Sequence, residues 1–145
     1  MSEQNRLKIL GIDLGTKRVG LAVADTELKI ATGFGVVEYK NRDGFIDRIG
    51  EIVKDEEIDL IVMGLPKNMD GTEGSGAIKA RTLAGLMKAK LKIDIKMVDE
   101  RLTTFQAIKQ LHAGECKVGK SKGKIDILAA ILILQSYLDS LPLAE

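Results

Sequence analysis

Four carboxylates, far apart in the chain, sit where carboxylates are out of place. They are Asp13 in LGIDLGTKRVGLAVAD, the pair Asp99 and Glu100 in VDERLTT, and Asp126 in KIDILAAILILQSYL. On strand periodicity Asp13 shares a face with Leu7, Ile9 and Gly11, while Leu10, Ile12 and Leu14 take the other, so both faces are apolar and covered. An ionised carboxylate there costs several kcal/mol unless a cation answers it. Asp99 and Glu100 end an apolar strand, and only one of them can share a face with another site. Asp126 heads a helical stripe that continues through Ala129, Ala130, Ile133 and Tyr137, and so faces the core side. Carboxylates brought together at 4 Å repel by about 4 kcal/mol per pair at an effective dielectric of 20, a repulsion that a hard divalent cation relieves. Mg²⁺ is commonly held by one or two carboxylates, waters and phosphate oxygens, and two such ions suit in-line attack on a phosphodiester.

Each acid also has a plainer structural reading. Asp13 can open a turn by accepting from the backbone of Gly15 or Thr16. Asp99 and Glu100 can supply negative charge ahead of a helix capped by Thr103, and Asp126 can do the same for the last helix. What favours chemistry is the combination of two strand ends and one helix start, each with an apolar side.

Cationic groups lie where a polyanion would need them. Lys17 and Arg18 follow Asp13 in a turn, and Lys117, Lys120, Lys122 and Lys124 form the loop ECKVGKSKGK directly before Asp126. The glycine-rich stretch GLPKNMDGTEGSG offers Lys67, Asn68 and backbone N–H groups to an anion, and Arg101 is a further phosphate ligand in prospect. The single histidine, His112, and single cysteine, Cys116, make a structural zinc site, a disulfide framework or a histidine-based triad poor explanations. Net charge is +1, so affinity for nucleic acid must come from a local patch. Aromatic residues make up 3% of the chain, too few for a base-stacking platform, which points to recognition by backbone and shape.

The elements that must position these groups can be read along the chain. Leu7 to Leu14 and Val19 to Ala24 read as two strands joined by a tight turn, and Ile30 to Tyr39 as a third with a bend or bulge at Gly33 and Gly35. From Asp43 the apolar spacing becomes helical, with Asn41 or Asp43 as cap. Ile58 to Met63 and Ile93 to Val98 read as strands of a covered parallel region. Helices are expected over Ala77 to Leu91, from Thr103 or Thr104 to about Leu111, and over Ile125 to Leu138. The result is an α/β protein, a mixed sheet with helices packed on it, in one domain over residues 1–145. The 145 residues are 45% apolar and 30% charged, and the longest apolar run, Ile127 to Leu134, is too short to span a bilayer. With no secretory pattern at MSEQNRLKI, a cytoplasmic protein is expected.

GIDLGTKRVGLAVAD, GLPKNMDGTEG, VDERLTTFQA and KIDILAAILILQSYL, taken in order over nearly the whole chain, resemble the YqgF/RuvX family of the RNase H-like superfamily. The resemblance implies an RNase H-like fold: a five-stranded sheet of three antiparallel and two further parallel strands, with helices on both faces. Carried over by motif, it implies that Asp13, Glu100 and Asp126 are catalytic carboxylates holding Mg²⁺ or Mn²⁺, two ions being expected, with Asp99 kept beside Glu100 as a metal ligand. Family members have been regarded as nucleases maturing the 5′ end of precursor 16S ribosomal RNA, and earlier as Holliday junction resolvases. The substrate implied is therefore structured nucleic acid, precursor ribosomal RNA first and a four-way DNA junction second. A monomer and a weak dimer both fit. Gly119 and Gly123 interrupt a basic run that is denser in many relatives, which touches substrate grip and not the acids. GIDLGTK also resembles the phosphate-binding turn of the actin, sugar-kinase and chaperone ATPases, whose two-domain clamp has no second half in 145 residues. A non-catalytic RNA-binding scaffold is the remaining alternative.

Overall fold

The computed structural model describes residues 6–102 and 119–142. Lys8–Leu14 (β1), Arg18–Asp25 (β2), Thr32–Glu38 (β3), Leu60–Leu65 (β4) and Asp94–Asp99 (β5) form one sheet in the order β3-β2-β1-β4-β5. β1 pairs antiparallel with β2, and β2 antiparallel with β3, whereas β4 runs parallel to both β1 and β5. The register of β2 and β3 slips between Leu21 and Ala22, whose partners are Gly35 and Gly33. Phe34 is the extra residue, so the glycines of β3 do mark a bulge.

Helices Arg42–Asp55 (α1) and Ser75–Leu91 (α2) cover one face of the sheet, and Gly119–Ser140 (α3) lies on the other. α1 starts where Asn41 caps it, its Oδ1 accepting from Gly44 N at 2.7 Å, and it buries Phe45, Ile46, Ile49 and Ile52. On the first face these side chains pack with Leu10, Ile12, Leu21, Ile61 and Met63. On the second, Ala129, Ala130, Ile133 and Leu134 of α3 meet Ile9, Ala22, Val62 and Val98. Alternation along β1 thus sends Leu10 and Ile12 to α1 and α2, and sends Ile9, Gly11 and Asp13 to α3.

Two readings change. α3 begins at Gly119, not near Ile125, so Lys120, Lys122 and Lys124 belong to its backbone and not to a loop, and Asp126 stands two turns inside. Lysine and serine tolerate a helix, and each glycine costs it only about 1 kcal/mol, which docking on the sheet offsets. β5 is parallel but not covered: Asp94 and Lys96 are exposed, because it is the edge strand of the sheet. The helix expected near Thr103 to Leu111, His112, Cys116 and Lys117 lie outside the described residues. Among the described residues, no helix is long and apolar enough to cross a membrane.

Candidate active site

β1, β4 and β5 run in one direction, and Asp13, Gly64 and Glu100 stand at their carboxyl ends, where ligands gather in open α/β sheets. Asp13 is 1% exposed and Glu100 5%, the two buried charged residues of the described core. Glu100 follows β5 in a 3-10 turn, Glu100–Leu102, and on the alternation that sends Val98 toward α3 it turns the same way.

Two glycines make room for this arrangement. Gly20 is the cross-strand partner of Asp13, and a Cβ there would collide with the backbone carbonyl of Asp126, so α3 lies directly over the strand pair at this point. On the other side of β1, Ile12 pairs with Met63, which brings Gly64 next to Asp13. A Cβ on Gly64 would stand 2.6 Å from Glu100 Oε2 and 2.6 Å from Ile133 Cδ1, so the Glu100 carboxylate fills the space a side chain would take. Asp13 is therefore flanked by two residues without side chains, one beneath Glu100 and one beneath Asp126. Isolated glycines within strand patterns signal such close approach, yet VGLAV and VMGLP do not say what approaches.

The four acids differ in what already holds them. Arg18 Nε donates to Asp126 Oδ2 at 3.0 Å. Arg101 grips Asp99 with Nε at 3.1 Å from each carboxylate oxygen, Nη2 at 2.7 Å from Oδ2, and its backbone N–H at 2.9 Å from Oδ1. The Arg101 side-chain hydrogen bonds hold the Asp99 carboxyl below its ordinary pKa, against partial desolvation, and the same bonds raise that of Arg101. Among the described residues no three His, Cys, Asp or Glu side chains are grouped to hold a metal ion. The donor set still suits a hard cation, since oxygen-only ligands from one or two carboxylates suffice for Mg²⁺ when water and phosphate oxygens complete the shell. Asp13 and Glu100 are the buried carboxylates of the described residues, and Asp126 is paired with Arg18.

The cationic residues divide likewise. Lys17 and Arg18 line a cleft of about 550 Å³ that reaches Asp126. Arg101 is committed to Asp99, and its Nη1 donates to Met69 O at 3.3 Å, so it ties the 66–74 loop to β5. Asn68 likewise holds that loop, donating to Thr72 Oγ1 at 2.9 Å, while Lys67 is half-buried beside it. Lys124 is exposed on α3. Lys79 of α2 and Tyr39 also line the cleft, and nothing in their sequence spacing links them to Asp13 or Asp126.

Residues 7–140 match the family model described as RuvX: Holliday junction resolvase. The chain belongs to the RuvX family. A Bacillus subtilis relative named "Putative pre-16S rRNA nuclease" is 41% identical over 137 residues, 93% of this chain and 99% of the relative. A relative of the same name from Anaeromyxobacter sp. (strain K) is 40% identical over 133 residues, 92% of this chain and 97% of its own length. In fold, the chain is similar to Thermus thermophilus RuvC in complex with Holliday junction substrate, at TM-score 0.56 and 13% identity, covering 92% of this chain and 97% of that one. It is also similar to the fowlpox virus Holliday junction resolvase, at TM-score 0.54 and 12% identity, covering 93% and 100%. The RuvC-like RNase H fold implied by the motifs is thus the fold of this RuvX-family chain.

Proposed function

We propose that this protein is a divalent-metal-dependent endonuclease that cuts phosphodiester bonds in precursor 16S ribosomal RNA. The observation that carries the reading is the convergence of two buried carboxylates, Asp13 and Glu100, on adjacent glycine-lined positions, with Asp126 directly above. Buried carboxylates at the carboxyl ends of parallel strands suit the metal and phosphate chemistry of phosphodiester hydrolysis.

Asp13 and Glu100 would hold the ion, with Asp126 joining as Arg18 turns to substrate phosphate, and Asp99 stays on Arg101. When bound, Mg²⁺ or Mn²⁺ supplies activation of water and neutralisation of charge on the leaving oxygen. Arg18 and Lys17 orient the backbone beside the acids, and the 66–74 loop, with Lys67, is held at the rim by Arg101. Lys124, exposed on α3, extends the cationic track, and Lys117, Lys120 and Lys122 are further backbone contacts in this reading. Names of the relatives favour ribosomal RNA, while the family description and the RuvC-like fold favour a four-way DNA junction as the second reading.

The test offers purified protein, with and without Mg²⁺ or Mn²⁺, a 5′-extended 16S ribosomal RNA fragment and a four-way DNA junction, with Asp13→Asn alongside. Metal-dependent cleavage of the RNA that disappears in Asp13→Asn is the expected result. Cleavage of the junction alone reverses the substrate order, and metal-independent binding without cleavage of either leaves a scaffold.

A further inference from the structure

The cleft beside Asp126 is built from parts that meet only in the folded chain: Thr16 and Lys17 of the β1–β2 turn, Arg18 at the start of β2, Tyr39 after β3, and Lys79 of α2. Its volume, about 550 Å³, lies in the range of ligand sites. Three of its lining residues are cationic and Asp126 is its one acid, in a molecule whose net charge is only +1. The excess of positive charge belongs to this place and not to the protein at large.

The cleft has an internal scaffold. Tyr39 N donates to Lys17 O at 2.8 Å, which joins the end of β3 to the turn. The Tyr39 ring lies 5.1 Å from that of Phe45, a core residue of α1, and Lys79 Nζ stands 5.9 Å from the Tyr39 centroid. A ring anchored on the core thus holds the ammonium by cation–π attraction. Among the described residues neither Lys17 nor Lys79 has a carboxylate within ion-pair distance, whereas Lys90 is bound to Asp47 at 2.8 Å. Among the described residues, two lysines that line one cleft without an ion-pair partner, beside an acid already paired with Arg18, are arranged for an external anion.

We infer that this cleft seats the sugar-phosphate backbone of the nucleic acid away from the scissile bond, with Lys79 and Lys17 as phosphate ligands and Tyr39 as the residue that positions Lys79. The inference rests on the nuclease reading and names a substrate subsite within it. Backbone, not base, is the occupant, because the aromatic face that a base would stack on already carries the Lys79 ammonium. Binding here is therefore indifferent to sequence and sensitive to salt.

The test is equilibrium binding in EDTA, so that nothing is cut, of the 5′-extended ribosomal RNA fragment and the four-way DNA junction across a salt series. Lys79→Ala is expected to weaken binding about 5- to 10-fold and to lower the slope of log K against log salt by roughly 0.7–0.9. Tyr39→Leu shares much of that loss, and Tyr39→Phe, which keeps an aromatic face, recovers most of it. Lys88→Ala, on the same helix away from the cleft, keeps the slope. With metal present, Lys79→Ala raises KM and leaves kcat near its original value. An unchanged slope in Lys79→Ala, or a fall in kcat without a rise in KM, overturns the subsite while the nuclease reading stands. Wild-type protein that neither binds nor cuts either nucleic acid overturns the nuclease reading first. Lys79 is exposed on α2 and alanine is the best helix former, so the central variant folds.

Discussion

The backbone of Asp126 rests against Gly20, the residue paired with Asp13 across β1 and β2. At that contact, one of several between the amino-terminal hairpin and the carboxyl-terminal helix, two acids 113 residues apart become neighbours. The first prediction follows from it. Gly20→Ala would force α3 away from the hairpin at a cost of about 1–3 kcal/mol, seen as a lower Tm, and cleavage would fall at least tenfold. Gly35→Ala, where a Cβ meets nothing within 4 Å, would keep both close to the original.

Neighbouring acids should behave oppositely. Glu100→Gln would lower the metal-dependent cleavage rate by about 100-fold or more, equivalent to roughly 2.7 kcal/mol of transition-state stabilisation. Asp99→Asn would leave the rate within several-fold and instead loosen Arg101 and the 66–74 loop, detectable as faster amide exchange at Asn68 and Gly71. Equal losses in the two variants would contradict the division of labour described here.

The grip of Arg101 on Asp99 also sets a pH dependence. Because the folded carboxyl titrates below its ordinary value near 3.8, the pair contributes full stability above that pH. The contribution is lost as pH falls through the lower, folded value. The difference in unfolding free energy between wild type and Asp99→Asn should accordingly be flat from neutral pH down to about pH 4, then shrink with further acidification. A difference growing toward acid would reverse the assigned sign.

Arg18 and Asp126 form a partly buried pair, and a double-mutant cycle with Arg18→Ala and Asp126→Asn should give a coupling of about 1 kcal/mol in urea unfolding. Freed of Arg18, Asp126 is available to an ion, so Arg18→Ala should bind Mn²⁺ more tightly in titration calorimetry while binding nucleic acid less well. Unchanged Mn²⁺ affinity would mean that Arg18 does not compete for this carboxylate.

Local pattern was enough to reveal much of this molecule. The alternation that put Asp13 on one face with Ile9 and Gly11, and the stripe from Asp126 through Ile133, both describe the face between sheet and α3. They were legible because one covered face imposes a period of two on a strand and 3.6 on a helix. The bulge at Phe34 and the cap at Asn41 were legible for the same local reason. The start of α3 was not, since GKSKGK carries no apolar period to mark a helix. Nor was the commitment of Arg101 and Asn68 to the loop, because a cation or an amide in a motif looks the same whether it faces a ligand or a neighbour.

Residue types and their spacing by themselves determined the class of fold and the family, and singled out the acids proposed for the site. Only the tertiary structure set Arg101 on Asp99 and Arg18 on Asp126 and brought Lys79 to Tyr39. Periodicity reports which way a side chain faces within its own element, whereas a contact between elements depends on how closely two backbones approach, here through Gly20 and Gly64, and that distance is not written in any single segment.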